Sequence, residues 1–323
     1  TTPLATESPT TEPSTTQPPG TEPPGTEPIT TEPVPTDAPA AAGSPEGTWT
    51  VEHAMGSTVI EGPVERVVVL DSSFLDASIA LGVVPVAATE GLAGSGLPPY
   101  LGASLDGIEL VGLTNEPNLE QIAAMQPDLV LGAKVRHEAI YDQLSQIAPT
   151  VFSESSGTNW TEQVRITGAS LGMPDDASAL LEQFEQRAAS VGEAIGASGR
   201  TATIVRFLPG QIRLYGPMTF SGSVLTTVGF DLGDKAYDPS FGMAVISAEQ
   251  IEMIDADVIF ATDPDTESGG AYVTDRDTVA ALWSGLPAVQ EGRQFDILDS
   301  TWMTGIGVLG ANAILDDLEE WLG

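Results

Sequence analysis

The chain has 323 residues with 46 acidic and 11 basic side chains, a formal net charge of -35 and no cysteine. So negative a field repels nucleic-acid phosphates, and the missing thiols exclude disulfides, thiolate metal sites and cysteine nucleophiles. No apolar run reaches the length of about 18 residues that a membrane-spanning helix needs.

Residues 1–47 contain Thr-Glu-Pro four times, beginning at Thr11, Thr21, Thr26 and Thr31, with seven acids and no Lys or Arg. This composition buries too little apolar surface to offset the entropy of ordering, so we expect an extended tether that reaches about 140 Å at full stretch. The chain opens on this tract rather than on Met, which reads as a product trimmed of a targeting segment, with a lipid on a removed upstream residue as the simplest anchor. The expected location is therefore extracytoplasmic. The remaining charge of -28 on residues 48–323 fits a surface that stays hydrated in salt.

From Thr48 the pattern is α/β. Arg66 to Leu70 is an aliphatic strand, a helix follows through Phe74 to Leu81, and Val84 to Ala88 is a second strand. The run Asn118-Leu-Glu-Gln-Ile-Ala-Ala-Met-Gln-Pro-Asp-Leu-Val-Leu131 then returns as Ser247-Ala-Glu-Gln-Ile-Glu-Met-Ile-Asp-Ala-Asp-Val-Ile-Phe260. In each copy a cap residue precedes a glutamine by three positions, the spacing of a capping box, and a short aliphatic strand follows the helix. Helices are expected from about Glu138 to Ile147 and Trp160 to Leu171, with a strand at Thr150 to Phe152 between them. An unbroken helical pattern covers 174–198. A strand from Thr201 to Phe207 opens the second half, and a helix from about Gly305 to Leu322 closes it.

These elements predict two α/β lobes, 48–173 and 199–323, with mostly parallel sheets joined by one long interlobe helix over 174–198. Two lobes make a cleft, and such clefts hold small ligands.

Several motifs do not carry chemistry. Gly305-Ile-Gly-Val-Leu-Gly310 matches a dinucleotide fingerprint, but the chain lacks the further strand and the acid that such a site needs, so small residues for close helix packing is the better reading. Gly168-Ala-Ser-Leu-Gly172 matches a nucleophile elbow, yet no histidine follows His137. With only His53 and His137 and no cysteine, no resident metal site is expected, and no carboxylate spacing marks an acid/base pair. The reading is a binding protein without a cofactor, not an enzyme.

Ligand contacts in such lobes come from loops beyond the strand ends. Lys134-Val-Arg136 follows the first echo strand. Arg206 and Arg213 lie near Phe207, Tyr215 and Phe220, and further loops hold Tyr237-Asp-Pro-Ser-Phe-Gly-Met243, Tyr272 to Arg276, and Ser300-Thr-Trp-Met303. Because cations are scarce, Arg136, Arg206 and Arg213 beside Tyr215, Phe220, Tyr237, Met243 and Trp302 suit an oxygen-rich, partly anionic ligand with apolar faces. The competing reading pairs the arginines with surface acids and packs the aromatics in the core.

The chain from Val51 to Leu322 resembles the periplasmic binding proteins that deliver iron–siderophore complexes and cobalamin to ABC importers. The resemblance rests on Val51-Glu-His-Ala-Met-Gly-Ser-Thr-Val-Ile, Pro63-Val-Glu-Arg-Val-Val-Val-Leu70, Leu81-Gly-Val-Val-Pro-Val86, and the two echo segments. It implies a helix-bridged pair of lobes, a shallow cleft for a ferric siderophore that carries its own iron, and no catalysis. It also implies a monomer that docks on an ABC permease through one glutamate per lobe, at Glu120 and Glu249. A cobalamin- or haem-binding importer component stays open, haem being disfavoured by the scarcity of histidine. So does a surface-anchored scaffold or adhesion module with the same fold.

Overall fold

The computed structural model describes residues 45–91, 96–264 and 275–323. The Thr-Glu-Pro repeats and Tyr272 lie outside the described residues. Every described residue belongs to one compact unit, Ala38–Gly323.

A hairpin of β1 (Gly47–His53) and β2 (Gly56–Gly62) leads into lobe one. Its elements are β3 (Val67–Val69), α1 (Ser72–Ala80), β4 (Ala87–Glu90), a 3-10 segment Pro99–Leu105, β5 (Glu109–Leu113), β6 (Glu116–Pro117), α2 (Leu119–Ala124), β7 (Leu129–Ala133), α3 (Lys134–His137), α4 (Tyr141–Ser145), β8 (Thr150–Ser153) and α5 (Trp160–Ser170). The sheet order is β6-β5-β4-β3-β7-β8, parallel except for the β5–β6 edge. Val67, Val68 and Val69 are all buried, as a strand covered on both faces must be.

The interlobe helix α6 runs Pro174–Ala194, with Pro174 in its first turn and Gly196 in the left-handed region at its end. Its 21 residues span about 32 Å.

Lobe two comprises β9 (Ala202–Leu208), β10 (Gln211–Tyr215), α7 (Phe220–Val228), β11 (Met243–Ile246), a 3-10 segment Ala248–Ile254, β12 (Val258–Thr262), α8 (Asp275–Thr278), α9 (Ala280–Trp283), α10 (Pro287–Gln290), β13 (Gln294–Asp296), α11 (Asp299–Trp302) and α12 (Val308–Leu322). Its sheet order is β11-β10-β9-β12-β13. Here the sheet is mixed: β12 pairs parallel with β9 and β13, while the tight turn between Leu208 and Gln211 leaves no room for a crossover and makes β9 and β10 an antiparallel hairpin, and β11, reached through α7, runs antiparallel along β10.

The helix expected from Glu138 to Ile147 is broken into single turns. His137 is buried, and its Nδ1 accepts the Ala133 N–H at 3.1 Å, tying the chain back to β7 and interrupting the helical path. The echo holds, with one difference. Ser247 and Gln250 form the full capping box in the second copy, whereas in the first Asn118 alone caps, accepting from the N–H groups of Glu120 and Gln121 at 3.1 Å each.

One hydrophobic cluster crosses both lobes, and each lobe has a further cluster of its own. The shared cluster takes in Val67 and Val69 of β3, Leu181, Phe184 and Val191 of α6, and Ile204 and Phe260 of lobe two. Trp160 of α5 meets Phe184 and Phe220 edge-on at 5.3 and 5.7 Å and donates to Ser223 Oγ at 2.9 Å, so lobe one touches α7 directly. The covalent link is one helix, but the packing between the lobes is broader than a rod.

Candidate binding cleft

In lobe one the site is organised by Asp71, which follows β3 and caps α1. The carboxylate is buried; Oδ1 accepts from Ser73 N and Ser73 Oγ, and Oδ2 accepts from Ser156 Oγ at 2.7 Å and faces Arg136 Nε at 3.1 Å. Arg136 also reaches Asn115 Oδ1 at 3.3 Å. One carboxylate thus holds both the α3 turn and the loop after β8. His137 braces the same turn: Nε2 bonds the Thr114 carbonyl at 2.7 Å while Nδ1 accepts, so the proton sits on Nε2. Burial lowers its pKa and keeps the ring neutral. Gly132 lies beneath, where a Cβ would stand 2.8 Å from the Phe152 ring.

Lobe two repeats the device. Arg206 of β9 is held by Asp299 at the start of α11, with Nε 2.6 Å from Oδ1 and Nη2 donating to Oδ2 at 2.6 Å, and Nη1 points to the Tyr215 hydroxyl at 3.4 Å. This is a two-point, largely desolvated pair. Register places Arg206 opposite Arg213 across β9 and β10. Arg213 donates to Gln211 Oε1 at 2.8 Å and has no carboxylate within salt-bridge distance among the described residues.

Between the two arrangements lies a cavity of about 230 Å3. Lobe one contributes Val135 and the loop 155–158; lobe two contributes Tyr215, the start of α7, Phe241 and Met243; Trp302, Met303 and Ile306 form the remaining wall. Ser155, Ser156, Thr158, Thr219, Ser221 and Ser240 belong to the lining, with the hydroxyls of Ser155, Ser156 and Thr219 donated to the Thr158 carbonyl, Asp71 and the Gly216 carbonyl. A second, open groove of about 870 Å3 runs along the edge strand β11, lined among others by Arg213 and Tyr237, and it shares Phe241 and Met243 with the first.

Of the residues singled out in the sequence, Tyr215, Phe220, Met243 and Trp302 line the cavity. Trp302 is fully buried, stacks on Phe260 at 4.8 Å and donates its indole N–H to Asp317 Oδ2 at 2.7 Å, so it backs the wall rather than reaching out. Arg136 and Arg206 stand immediately behind the lining, through Ser156 and Tyr215. Arg213 and Tyr237 fall in the outer groove. Tyr237 has a packing task there: its hydroxyl donates to the Leu232 carbonyl at 3.1 Å, its ring lies against Gly216, and its pKa is pushed up to about 12 by burial and then by Asp231 and Asp234. Arg276 lies elsewhere, bonded to Asp296 at 2.6 Å and set over Trp283. Glu120 and Glu249 are exposed in the first turns of the echo helices, outside both cavities; the Ser247 hydroxyl lowers the Glu249 pKa.

The hydroxyl-bearing loop 155–158 and the two organising carboxylates, Asp71 and Asp299, are additions from the structure. The loop follows an expected strand and was findable by the strand-end rule. The carboxylates were not, in a chain with 46 acids. Among the described residues no three His, Asp or Glu side chains are grouped to hold a metal ion.

The family model described as periplasmic binding protein matches residues 67–301. The probable siderophore-binding lipoprotein YfiY of Bacillus subtilis (strain 168) is 36% identical over 284 residues, covering 85% of this chain and 87% of that protein. The Fe(3+) dicitrate-binding periplasmic protein FecB of Escherichia coli (strain K12) is 28% identical over 271 residues, covering 83% and 88%. Among solved structures, Staphylococcus aureus SirA complexed with staphyloferrin B superposes with a TM-score of 0.74 at 30% identity, covering 84% of this chain and 98% of that one. With the family model matched over residues 67–301 and a relative 36% identical across most of both chains, the chain belongs to the periplasmic binding protein family.

Proposed function

We propose that this protein captures a ferric siderophore between its lobes, outside the cytoplasm, and delivers it to an ABC importer. The observation that carries the reading is a cavity built from both lobes and backed on each side by an arginine held in place by a buried carboxylate. Preset guanidinium groups and a lining of hydroxyls and aromatics suit a chelate whose iron is wrapped in oxygen atoms. The relatives are named for binding siderophores or ferric citrate, which supports the same class of cargo. Nothing in this reading asks the protein for catalysis.

A pocket that encloses a ligand usually measures roughly 300–1,000 Å3. At about 230 Å3 the inner cavity is smaller, so a bulky chelate stands proud of it and extends over Phe241 and Met243 into the outer groove. That gives Arg213 its role. Seven of the eleven cations pair with acids, and Arg66, Arg200 and Lys235 donate to carbonyl oxygens near helix C-termini, at Met125, Ile195 and Met253. Arg213 has only Gln211 among the described residues, which leaves its charge available for the ligand.

Glu120 and Glu249, at the same position of each echo helix, form the proposed two-point contact with the permease, and residues 1–47 the tether to a lipid anchor. Ferric citrate, a ferric hydroxamate and a ferric catecholate titrated against tryptophan fluorescence test the capture. Saturable quenching by at least one supports it; no binding of any of the three refutes it. Glu120→Ala with Glu249→Ala should abolish cellular iron uptake while leaving ligand affinity unchanged, and a loss of affinity would reassign those residues.

A further inference from the structure

The glycines at Gly305, Gly307 and Gly310 make room for a carboxylate from the chain itself. Asp76 of α1, in lobe one, is fully buried. Its Oδ1 accepts the Leu309 N–H at 3.0 Å and its Oδ2 the Gly310 N–H at 2.9 Å, both at the start of α12, while the Tyr100 hydroxyl donates to Oδ2 at 2.8 Å. A Cβ at Gly307 would overlap the Asp76 carboxyl group, and one at Gly305 would come within 2.6 Å of both the Thr301 carbonyl and the Tyr100 ring. A Cβ at Gly310 would collide with the Gly305 carbonyl. Alongside, Ser72 Oγ donates to the Thr304 carbonyl at 3.1 Å. The fingerprint that elsewhere brings a helix N-terminus to a pyrophosphate here brings it to an aspartate of the opposite lobe.

This seam has a second face. Trp302, Met303 and Ile306, in the same short segment, line the cleft cavity. We propose that Asp76 is a positioning residue for ligand capture, which holds the Trp302–Ile306 wall against lobe one by bonding the N-terminus of α12. The proposal rests on the cleft being the binding site.

The seam should respond to pH. Burial raises the Asp76 pKa to about 6, against the opposing effect of its hydrogen bonds. Tyr100 is the one titratable side chain bonded to it, its own pKa pushed up by burial and then by Asp76. On neighbouring elements, Asp71 holds Arg136, Glu162 of α5 pairs with Arg165, and Asp316 and Asp317 of α12 are bound by Arg187 and Trp302 two turns along. A carboxyl whose pKa is higher in the sealed seam than in water favours the sealed state when protonated. The sealed state is therefore favoured increasingly as pH falls from about 6 toward the ordinary carboxyl value of 3.8; that preference is lost as pH rises through about 6 and does not change above it.

Amide hydrogen exchange of the full chain over residues 300–312, corrected for intrinsic rates, reads the seam without ligand; a ferric citrate titration reads the cleft. Wild-type protection should be about tenfold greater near pH 5 than near pH 7. Asp76→Asn should abolish that dependence, and Tyr100→Phe, which removes a donor favouring the ionised form, should move its midpoint upward. Asp76→Ala should raise exchange and weaken ferric citrate binding, each by about tenfold. Unchanged exchange in Asp76→Asn and Asp76→Ala overturns the proposal, as does altered exchange with unaltered affinity. Wild-type protein that binds no ferric chelate refutes the cleft reading instead, and is recognised because the exchange result stands apart from it.

Discussion

Arg206 and Arg213 face each other across two strands and are in opposite electrostatic situations. Arg206 is mostly buried against Asp299, and removing one member of such a pair strands the other charge, at a cost of about 3–5 kcal/mol. Arg206→Ala should therefore lower the urea midpoint sharply. Arg213→Ala should leave stability within about 0.5 kcal/mol while weakening the ferric ligand by about tenfold. Equal stability loss in the two variants would contradict this division of labour. His137 gives a second check. Its pKa is depressed by burial, so its ring should still be neutral at its ordinary value of 6.5 in an NMR titration, and stability linked to it is lost only as pH falls below that value; a midpoint at or above 6.5 would contradict the buried neutral ring. At this scale the scarcity of cations was legible in the sequence, and their partners were not. With acids spread along the whole chain, which one meets Arg206 is decided by the fold. Serine and threonine are likewise too common for the hydroxyl lining to stand out.

The elements were more legible than the residues on them. Aliphatic runs at Val67–Val69, Leu129–Ala133 and Val258–Thr262 became buried parallel strands, and the 3.6-residue period of α6 survived almost to its expected end. The failures are tertiary. The tie from His137 to β7 interrupts the helical path where a helix from about Glu138 to Ile147 was expected, and a two-residue turn made β9 and β10 antiparallel. The echo predicts its own energetics: Asn118→Ala removes the only side-chain cap of α2 and should cost about 1 kcal/mol in chemical denaturation, whereas a loss under about 0.3 kcal/mol would mean the helix start is held by packing alone. At Gly192 of α6 a Cβ would collide with the Val228 carbonyl, so Gly192→Ala should destabilise by about 1–3 kcal/mol despite its better helix propensity. A stabilised Gly192→Ala protein would show that α6 and α7 are not packed backbone to backbone.

At the scale of the molecule, two sheet-centred lobes share a hydrophobic cluster and enclose a cleft whose sides carry matching arginine–aspartate pairs. The two-lobe plan was legible because the helix-then-strand echo recurs 129 positions apart. The Asp76 seam was not, since its glycines mimic a nucleotide motif and only the fold shows which carboxylate they admit. The most direct test of capture between the lobes is the anomalous scattering of iron in crystals of the full chain grown with the ferric chelate that binds it. A peak between the 155–158 loop and the Tyr215–Met243 side of the cavity is the result expected. Iron found outside the cleft, or held by carboxylates on the outer surface, would contradict the account.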